Sequence, residues 1–164
     1  MLVGLLSDTH DRLDAMIAAM RVLRGAGAEY FLHAGDVGGE QILDVLGGDQ
    51  AAFVWGNNDW DRSELARYAK SIGVHCLNDF GEIAIDGKLF AMTHGDDQAR
   101  LKRIQKDQRH DYLITGHTHV RRDERVGRIR WINPGALYRA REKTVAVLDV
   151  GSDSLKFLTI EVPV

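Results

Sequence analysis

The stretch Leu2-Val3-Gly4-Leu5-Leu6-Ser7-Asp8-Thr9-His10 decides the fold, because an apolar run of strand length delivers a carboxylate and an imidazole directly after its end. Four further strand-like runs each end in a small residue followed by a side chain that can bind a metal. The side chains delivered in this way are Asp36, Asn57, His94, and the pair His117 and His119. Open sheets bind ligands at the carboxyl ends of their strands. The repetition therefore predicts one site assembled from five strand ends.

Helical spacing separates the first of these strands. Apolar residues from Leu13 to Leu23 predict a helix that stops at Gly25, and residues 42–46 predict a shorter one. Asp61 and Glu64 have the spacing of a capping box at the start of a third helix. A weaker helical pattern follows His94, with its cap at Asp96 and Asp97. Strand–helix–strand units of this length predict parallel pairing with right-handed crossovers.

Hairpin signals dominate the second half of the chain. Asp86-Gly87 and Gly127-Arg128 are typical of two-residue turns, and residues 151–153 predict a third reversal. Parallel units followed by antiparallel hairpins predict an α/β fold with two packed sheets flanked by helices. No linker or repeat divides the sequence, so we expect residues 1–164 to form a single domain.

Composition restricts the class of protein. The chain has 164 residues, is 45% hydrophobic and carries a net charge of −3, so it can bury a core and has no global affinity for nucleic acid or an anionic membrane. The single cysteine, Cys76, excludes an internal disulfide. No apolar run is long enough for a membrane span, and the first one lacks the basic flank of a signal peptide. We expect a soluble cytoplasmic protein.

The predicted ligand set favours two divalent ions. Oxygen and imidazole donors without thiolate suit Mn²⁺, Fe²⁺, Ni²⁺, Co²⁺, Zn²⁺ or Mg²⁺, with Mn²⁺ our first expectation. Seven ligands are too many for one ion. An extended backbone at Asp8-Thr9-His10 and at His117-Thr118-His119 would aim each pair at one point, and Asp36 could bridge two ions. Two such ions with two carboxylates and a hydroxide leave a charge of about +1, which attracts an anionic phosphate.

The ordered motifs resemble those of the calcineurin-like metallophosphoesterases. They are Asp8-Thr9-His10, Gly35-Asp36, Gly56-Asn57-Asn58-Asp59, His94-Gly95 and Gly116-His117-Thr118-His119. The short length, His33-Ala34-Gly35-Asp36, and Asn133-Pro134-Gly135 are most similar to the small YfcE-type phosphodiesterases of bacteria and archaea.

The resemblance implies a four-layer αββα sandwich of two mixed β-sheets and a two-metal site. One metal would take Asp8, His10, Asp36 and His119, and the other Asp36, Asn57, His94 and His117. A hydroxide held between the ions would attack phosphorus. The implied enzyme is a metal-dependent phosphoesterase that prefers a small phosphodiester, with nucleotides among the candidate substrates.

The chain departs from the family pattern at Asn58, where many relatives have a histidine that protonates the leaving oxygen. A neutral amide cannot donate a proton at a useful pKa, so this position favours diesters with good leaving groups over monoesters. Asn58 is then either a turn residue or a contact to a phosphate oxygen. Ala136 replaces a serine that relatives often carry.

The remaining candidates lie around the motifs. Arg12 and Arg139 could approach the substrate, and an exposed Trp60 could stack on a base. His33 has the position of a hydrogen-bonded core histidine, whereas we expect His110 at the surface. Asp59 is expected to be structural.

Two other functions stay open. One is a non-catalytic interaction scaffold like the Vps29 subunit of retromer, and the other is a nuclease with the same site chemistry. The arginines between residues 121 and 130 alternate with acids, which favours a solvated hairpin over a nucleic-acid surface. The sequence gives no sign of a membrane partner and is compatible with a homo-oligomer.

Overall fold

The computed structural model describes residues 1–163, which contain eleven strands and four helices; the two alternate only in the first part of the chain. In chain order the elements are β1 (Leu2–Leu6), α1 (Leu13–Gly25), β2 (Tyr30–His33), α2 (Glu40–Leu46), β3 (Gln50–Phe53), α3 (Arg62–Ser71), β4 (His75–Cys76), β5 (Phe80–Ile85), β6 (Lys88–Thr93), α4 (Gln98–Asp107), β7 (Tyr112–Ile114), β8 (Arg122–Val126), β9 (Ile129–Asn133), β10 (Thr144–Asp149) and β11 (Ser154–Thr159).

Two mixed sheets result from these strands. The first has the order β11-β10-β1-β2-β3-β4, with β1 to β4 parallel and the β10–β11 hairpin antiparallel at one side. The second has the order β5-β6-β7-β9-β8, with β6, β7 and β9 parallel between two antiparallel hairpin strands. The predicted parallel pairing and the predicted hairpins are both confirmed.

The sheets pack face to face, and helices cover their outer faces. Alternation along β1 sends Val3 and Leu5 into the layer between the sheets, where they join Phe90 and Ile114 of the second sheet. Leu6 belongs to the other face, which packs on α1, α2 and α3. Helix α4 covers the second sheet through Leu101 and Ile104. This arrangement is the expected four-layer αββα sandwich.

Local details correct three of our expectations. Asp61 lies at φ 50° and its side chain caps no backbone N–H, so the predicted capping box with Glu64 is wrong. The short strand β4 was not foreseen, because two residues are too few to show a period. His110 is buried rather than at the surface, since its Nε2 lies 2.7 Å from a carboxylate oxygen of Glu82.

The Asp86-Gly87 turn behaves as predicted. Both residues have positive φ, 51° and 75°, which is the backbone that a tight hairpin between twisted strands requires. Among residues 1–163, no helix combines the length and the hydrophobicity that crossing a lipid bilayer demands.

Candidate metal centre

The predicted ligands follow β1, β2, β3, β6 and β7, whose carboxyl ends meet at one edge of the sandwich. We expected an extended backbone at residues 8–10 and 117–119. This expectation is wrong, because the backbone is left-handed at both candidate ligands of each segment. Positive φ values of 55°, 47° and 53° occur at Asp8, His10 and Asp36, and values of 69° and 59° occur at His117 and His119. Asp and His tolerate this left-handed region better than most side chains. The loops after β1, β2 and β7 therefore bend sharply at their ligands, and these bends help to bring the ligands together.

Backbone hydrogen bonds join the loops to one another. The N–H of Asp8 donates to the carbonyl of Gly35 at 3.0 Å, and the N–H of His10 donates to that of Asp36 at 2.9 Å. In the second sheet, Gly116 N–H donates to the carbonyl of His94 at 2.9 Å. Loops from neighbouring strands thus fix the positions of each other's ligands.

Two glycines allow this close approach. A Cβ on Gly56 would lie 2.1 Å from Oδ1 of Asp36, and a Cβ on Gly116 would lie 1.9 Å from Oγ of Ser7. Neither contact is sterically possible, so the small residue before each of these ligands is required by the packing of the next loop.

Asp8 lies at the centre of the first group of side chains. Its carboxylate is fully buried, and Oδ2 accepts hydrogen bonds from Ser7 Oγ at 2.7 Å and from the His117 N–H at 3.1 Å. Its other oxygen, Oδ1, lies 3.2 Å from Nε2 of His119 and 3.8 Å from Nε2 of His10. One oxygen therefore fixes the carboxylate and the other faces the imidazoles.

Asp36 occupies the equivalent position between His10 and His94. Its Oδ2 is 3.2 Å from Nε2 of each of these imidazoles. Asn58 supplies two further contacts, from its N–H to Oδ1 at 2.8 Å and from its Nδ2 to Oδ2 at 3.0 Å. The Asn58 side chain thus contacts Asp36.

Three buried atoms in this group could bind a metal and have no hydrogen-bond partner within residues 1–163. They are Oδ1 of Asp8, Nε2 of His10 and Nε2 of His94. Buried polar atoms are almost always paired, so three together indicate a missing partner. A divalent cation fits them, because one carboxylate oxygen and two ring nitrogens are donors that such ions accept. The Nδ1–H of His94 donates to the carbonyl of Ala34 at 2.7 Å, which leaves its Nε2 lone pair free to bind a metal.

The donor atoms form two overlapping sets. Asp8, His10 and His119 form one, and Asp8, Asp36 and His94 form the other, with the donor atoms of each set within 4.8 Å of one another. Asn57 and His117 are more exposed, and His117 Nδ1 lies 3.2 Å from Oδ1 of Asn57. The His117 ring in turn lies against that of His94, with ring centroids 5.2 Å apart. All seven predicted ligands therefore lie in one cluster.

The carboxylates and the imidazoles of the cluster stabilise each other's charged forms. Burial by itself would raise the pKa of Asp8 and of Asp36, but the neighbouring imidazoles outweigh it and hold both pKa values well below the usual range. Contact with Asp36, and then with Asp8, raises the pKa of His10 to about 9. Without a metal, His10 thus carries a proton that a cation must displace.

A second layer of polar groups holds the ligand loops. His33 is fully buried and its ring accepts the Gly35 N–H at Nδ1, 3.2 Å away, so its Nε2–H donates to Thr9 Oγ1 at 2.6 Å. Burial lowers the pKa of His33 to about 4. Asp59 accepts the N–H groups of Gly38 and Gly56 at 3.0 and 2.8 Å. The sequence-based interpretation of His33 and Asp59 as structural residues agrees with these contacts.

The two candidate arginines line a separate cavity of about 370 Å³ with Tyr138. The guanidinium of Arg12 lies 3.6 Å from Asp14, and that of Arg139 lies over the Tyr138 ring. Neither guanidinium forms an ion pair or a hydrogen bond with the seven candidate ligands. Tyr138 itself was missed, although its ring lies 4.8 Å from that of His10, because no sequence pattern distinguishes it from a core aromatic residue.

Comparison with known proteins identifies the family. Residues 1–153 match the family model described as the calcineurin-like phosphoesterase superfamily domain. Phosphodiesterase MJ0936 of Methanocaldococcus jannaschii is 31% identical over 166 residues, which cover 98% of this chain and 100% of that protein. A solved structure described as a novel archaeal phosphodiesterase is 30% identical with a TM-score of 0.91, covering 98% of this chain and 100% of that one.

A more distant structure shares the fold. The phosphoesterase YfcE from E. coli is 19% identical with a TM-score of 0.67, and the match covers 98% of this chain and 100% of YfcE. The resemblance seen in the ordered motifs is therefore confirmed. The chain belongs to the calcineurin-like phosphoesterase superfamily and is a phosphoester hydrolase of a metal-dependent family.

Proposed function

We propose that this protein is a phosphodiesterase that uses two divalent metal ions. The observation that carries the proposal is the set of three buried, unpartnered atoms of Asp8, His10 and His94 that could bind a metal. In the proposed ligation, Asp8, His10, Asp36 and His119 hold one ion, and Asp36, Asn57, His94 and His117 hold the other. Bound together, the ions would activate a water molecule and neutralise the charge of the phosphate. We propose Mn²⁺ as the preferred metal.

The position of Asp36 supports its role as the shared ligand. Its Oδ2 is equidistant, at 3.2 Å, from Nε2 of His10 and Nε2 of His94, which belong to different proposed ion sites. The two hydrogen bonds from Asn58 fix the orientation of this carboxylate. Asn58 would therefore act first by holding Asp36 in place. On binding of substrate its exposed amide could also contact a phosphate oxygen, as Arg12 and Arg139 could from their own cavity.

The preference for diesters follows from what Asn58 lacks. General-acid assistance is worth about 10²–10⁴-fold, and an amide cannot supply it. A phosphodiester with a good leaving group needs this help least. The relative named as a phosphodiesterase, whose whole length matches this chain, supports the same substrate class. Small diesters, nucleotides among them, are the proposed substrates.

We further propose that residues 1–164 act as one domain. The apolar layer between the sheets receives side chains from both halves of the chain, such as Leu5 and Ile114. Neither sheet could bury its inner face without the other.

The proposal is tested with protein stripped by chelator and reloaded with single ions. Mn²⁺-loaded protein should hydrolyse bis-p-nitrophenyl phosphate faster than p-nitrophenyl phosphate, and metal analysis should find two ions per chain. Asp36→Asn should lose both ions. Glu161→Gln, an exposed carboxylate outside the cluster, is the matched control and should behave like the wild type.

The outcomes separate the alternatives. A reversed preference under every ion would refute the argument from Asn58, and one ion per chain would refute the dinuclear site. Binding of ions without hydrolysis of any ester would indicate an interaction scaffold, and selective cleavage of long nucleic acids would indicate a nuclease. Asn58→His should raise monoesterase activity; if ion binding is intact and no gain follows, Asn58 lies away from the leaving group.

A further inference from the structure

A cavity of about 470 Å³ opens beside the metal cluster, and His10 and Asn58 form part of its wall. Trp60 forms another part and is 73% exposed, which makes it the most exposed large apolar side chain in residues 1–163. The other two tryptophans differ, since Trp55 is 4% exposed and Trp131 is partly buried. An indole left in water at the edge of a cavity next to a reaction centre has the position of a ligand contact.

The wall of the same cavity carries several carboxylates without a cationic partner. Within the described chain, three of its carboxylates form neither an ion pair nor a side-chain hydrogen bond: Glu40, Asp61 and Glu64. Two of them, Asp61 and Glu64, are the residues of the expected capping box. Because Asp61 adopts a left-handed backbone and caps nothing, both side chains remain free to face the cavity. A fourth carboxylate, Asp11, accepts a hydrogen bond from the Gln41 amide and forms no ion pair within residues 1–163.

The combination of an indole with uncompensated negative charge selects the kind of group that binds. An anionic arm of a substrate would be repelled by the carboxylates, and a purely apolar arm would leave them without a partner. A cationic ammonium group gains both from the carboxylates and from the face of the indole. Tetraalkylammonium groups suit such a site best, because they are weakly hydrated and bind aromatic faces.

We propose that this cavity binds the ammonium-bearing alcohol of a phosphodiester, with Trp60 as the specificity-determining residue. The inference rests on the proposed function, because it places the phosphate at the metal cluster and one ester arm beside His10 and Asn58. The physiological substrates would then be diesters in which one alcohol carries a trimethylammonium or amino group.

The test compares two esters that differ only in charge. One is p-nitrophenyl phosphocholine, and the other is p-nitrophenyl 3,3-dimethylbutyl phosphate, in which carbon replaces the ammonium nitrogen. In both, water adds to phosphorus as the P–O bond to p-nitrophenolate breaks, and the other ester arm stays on the product. We expect kcat/KM to favour the choline ester about tenfold, since a cation–π contact of about 1 kcal/mol would give about fivefold and a screened carboxylate about a further twofold.

Variants assign the preference to the cavity. Trp60→Leu should reduce the choline-to-dimethylbutyl ratio about fivefold, and Glu64→Gln about twofold, since one screened charge is lost. Glu161→Gln removes an exposed carboxylate elsewhere and should leave the ratio at the wild-type value. Persistence of the preference in both cavity variants would overturn the assignment.

A binding measurement keeps this inference separate from the proposed function. In Mg²⁺-loaded protein, phosphocholine should shift the indole N–H resonance of Trp60, and 3,3-dimethylbutyl phosphate should shift it less. If no ester is hydrolysed with any ion, the proposed function fails, and the resonance still decides the cavity. If esters are hydrolysed with a ratio of one or less, or if a nucleoside ester is preferred to the choline ester, the inference fails alone.

Discussion

His33 provides a direct test of how the protein supports its ligand loops. The ring is fully buried, and its two hydrogen bonds, to Thr9 and from Gly35, require the neutral form. Protonation would remove the acceptor at Nδ1 and place a charge in the core. Burial accordingly lowers the pKa of His33 from 6.5 to about 4.

The sign and size of the effect follow from this difference. Between pH 6.5 and pH 4 the unfolded chain binds a proton at His33 that the folded protein does not, so this group makes the free energy of unfolding fall as the pH falls. Above pH 6.5 its contribution is constant. At about 1.4 kcal/mol per pKa unit, the full contribution is about 3 kcal/mol.

Urea denaturation of chelator-treated protein measures this contribution. His33→Gln keeps a donor towards Thr9 but cannot take up a proton. The stability difference between the wild type and this variant should therefore shrink by about 2–3 kcal/mol between neutral pH and about pH 4.5. His75→Gln replaces an exposed histidine and is the control for loss of an imidazole. A difference for His33→Gln that does not change with pH would refute the reasoning.

Three further predictions concern the site and its surroundings. Gly56→Ala should displace Asp36, because the new Cβ would lie 2.1 Å from its Oδ1. Calorimetric titration should then detect a loss of Mn²⁺ binding. An unaltered affinity for Mn²⁺ would contradict the close approach of these two residues. Gly25→Ala should instead stabilise the fold by about 0.5–1 kcal/mol in denaturant titrations, since the helical Cβ meets no atom within 4 Å. The affinity for Mn²⁺ should rise with pH up to about 9, because the metal would displace the proton of His10. Calorimetry in buffers of different ionisation enthalpy should record the release of this proton. Binding of Mn²⁺ that does not depend on pH would exclude this competition.

Much of the fold could be predicted because its signals are local. The continuous apolar run of β1 specifies a buried strand, and the helical spacing from Leu13 to Leu23 specifies a helix and its buried face. The turn at Asp86-Gly87 specifies a hairpin from two residues alone. Strand β4 escaped prediction because its pairing with β3 depends on the path of the chain after α3.

The convergence of the candidate ligands could also be predicted, whereas their surroundings could not. The order of motifs indicated which side chains converge, but the left-handed backbone at Asp8 and His117 arises from contacts between loops that a sequence does not display. The two hydrogen bonds from Asn58 to Asp36 could not be predicted either, because they depend on the path of the chain before Asn58. The unpaired carboxylate of Asp61 was not predicted, because the sequence indicated that this side chain would cap α3.

The left-handed ligand loops have a consequence for the order of events when metal binds. Such backbone costs about 1–2 kcal/mol per residue, and it persists here because the surrounding structure enforces it. Folding therefore bears that cost, so a cation bound in the proposed site would meet candidate ligands that the fold already holds together. Amide hydrogen exchange at Asp8, Asp36 and His117 should accordingly be slow already in chelator-treated protein and change little on adding Mn²⁺.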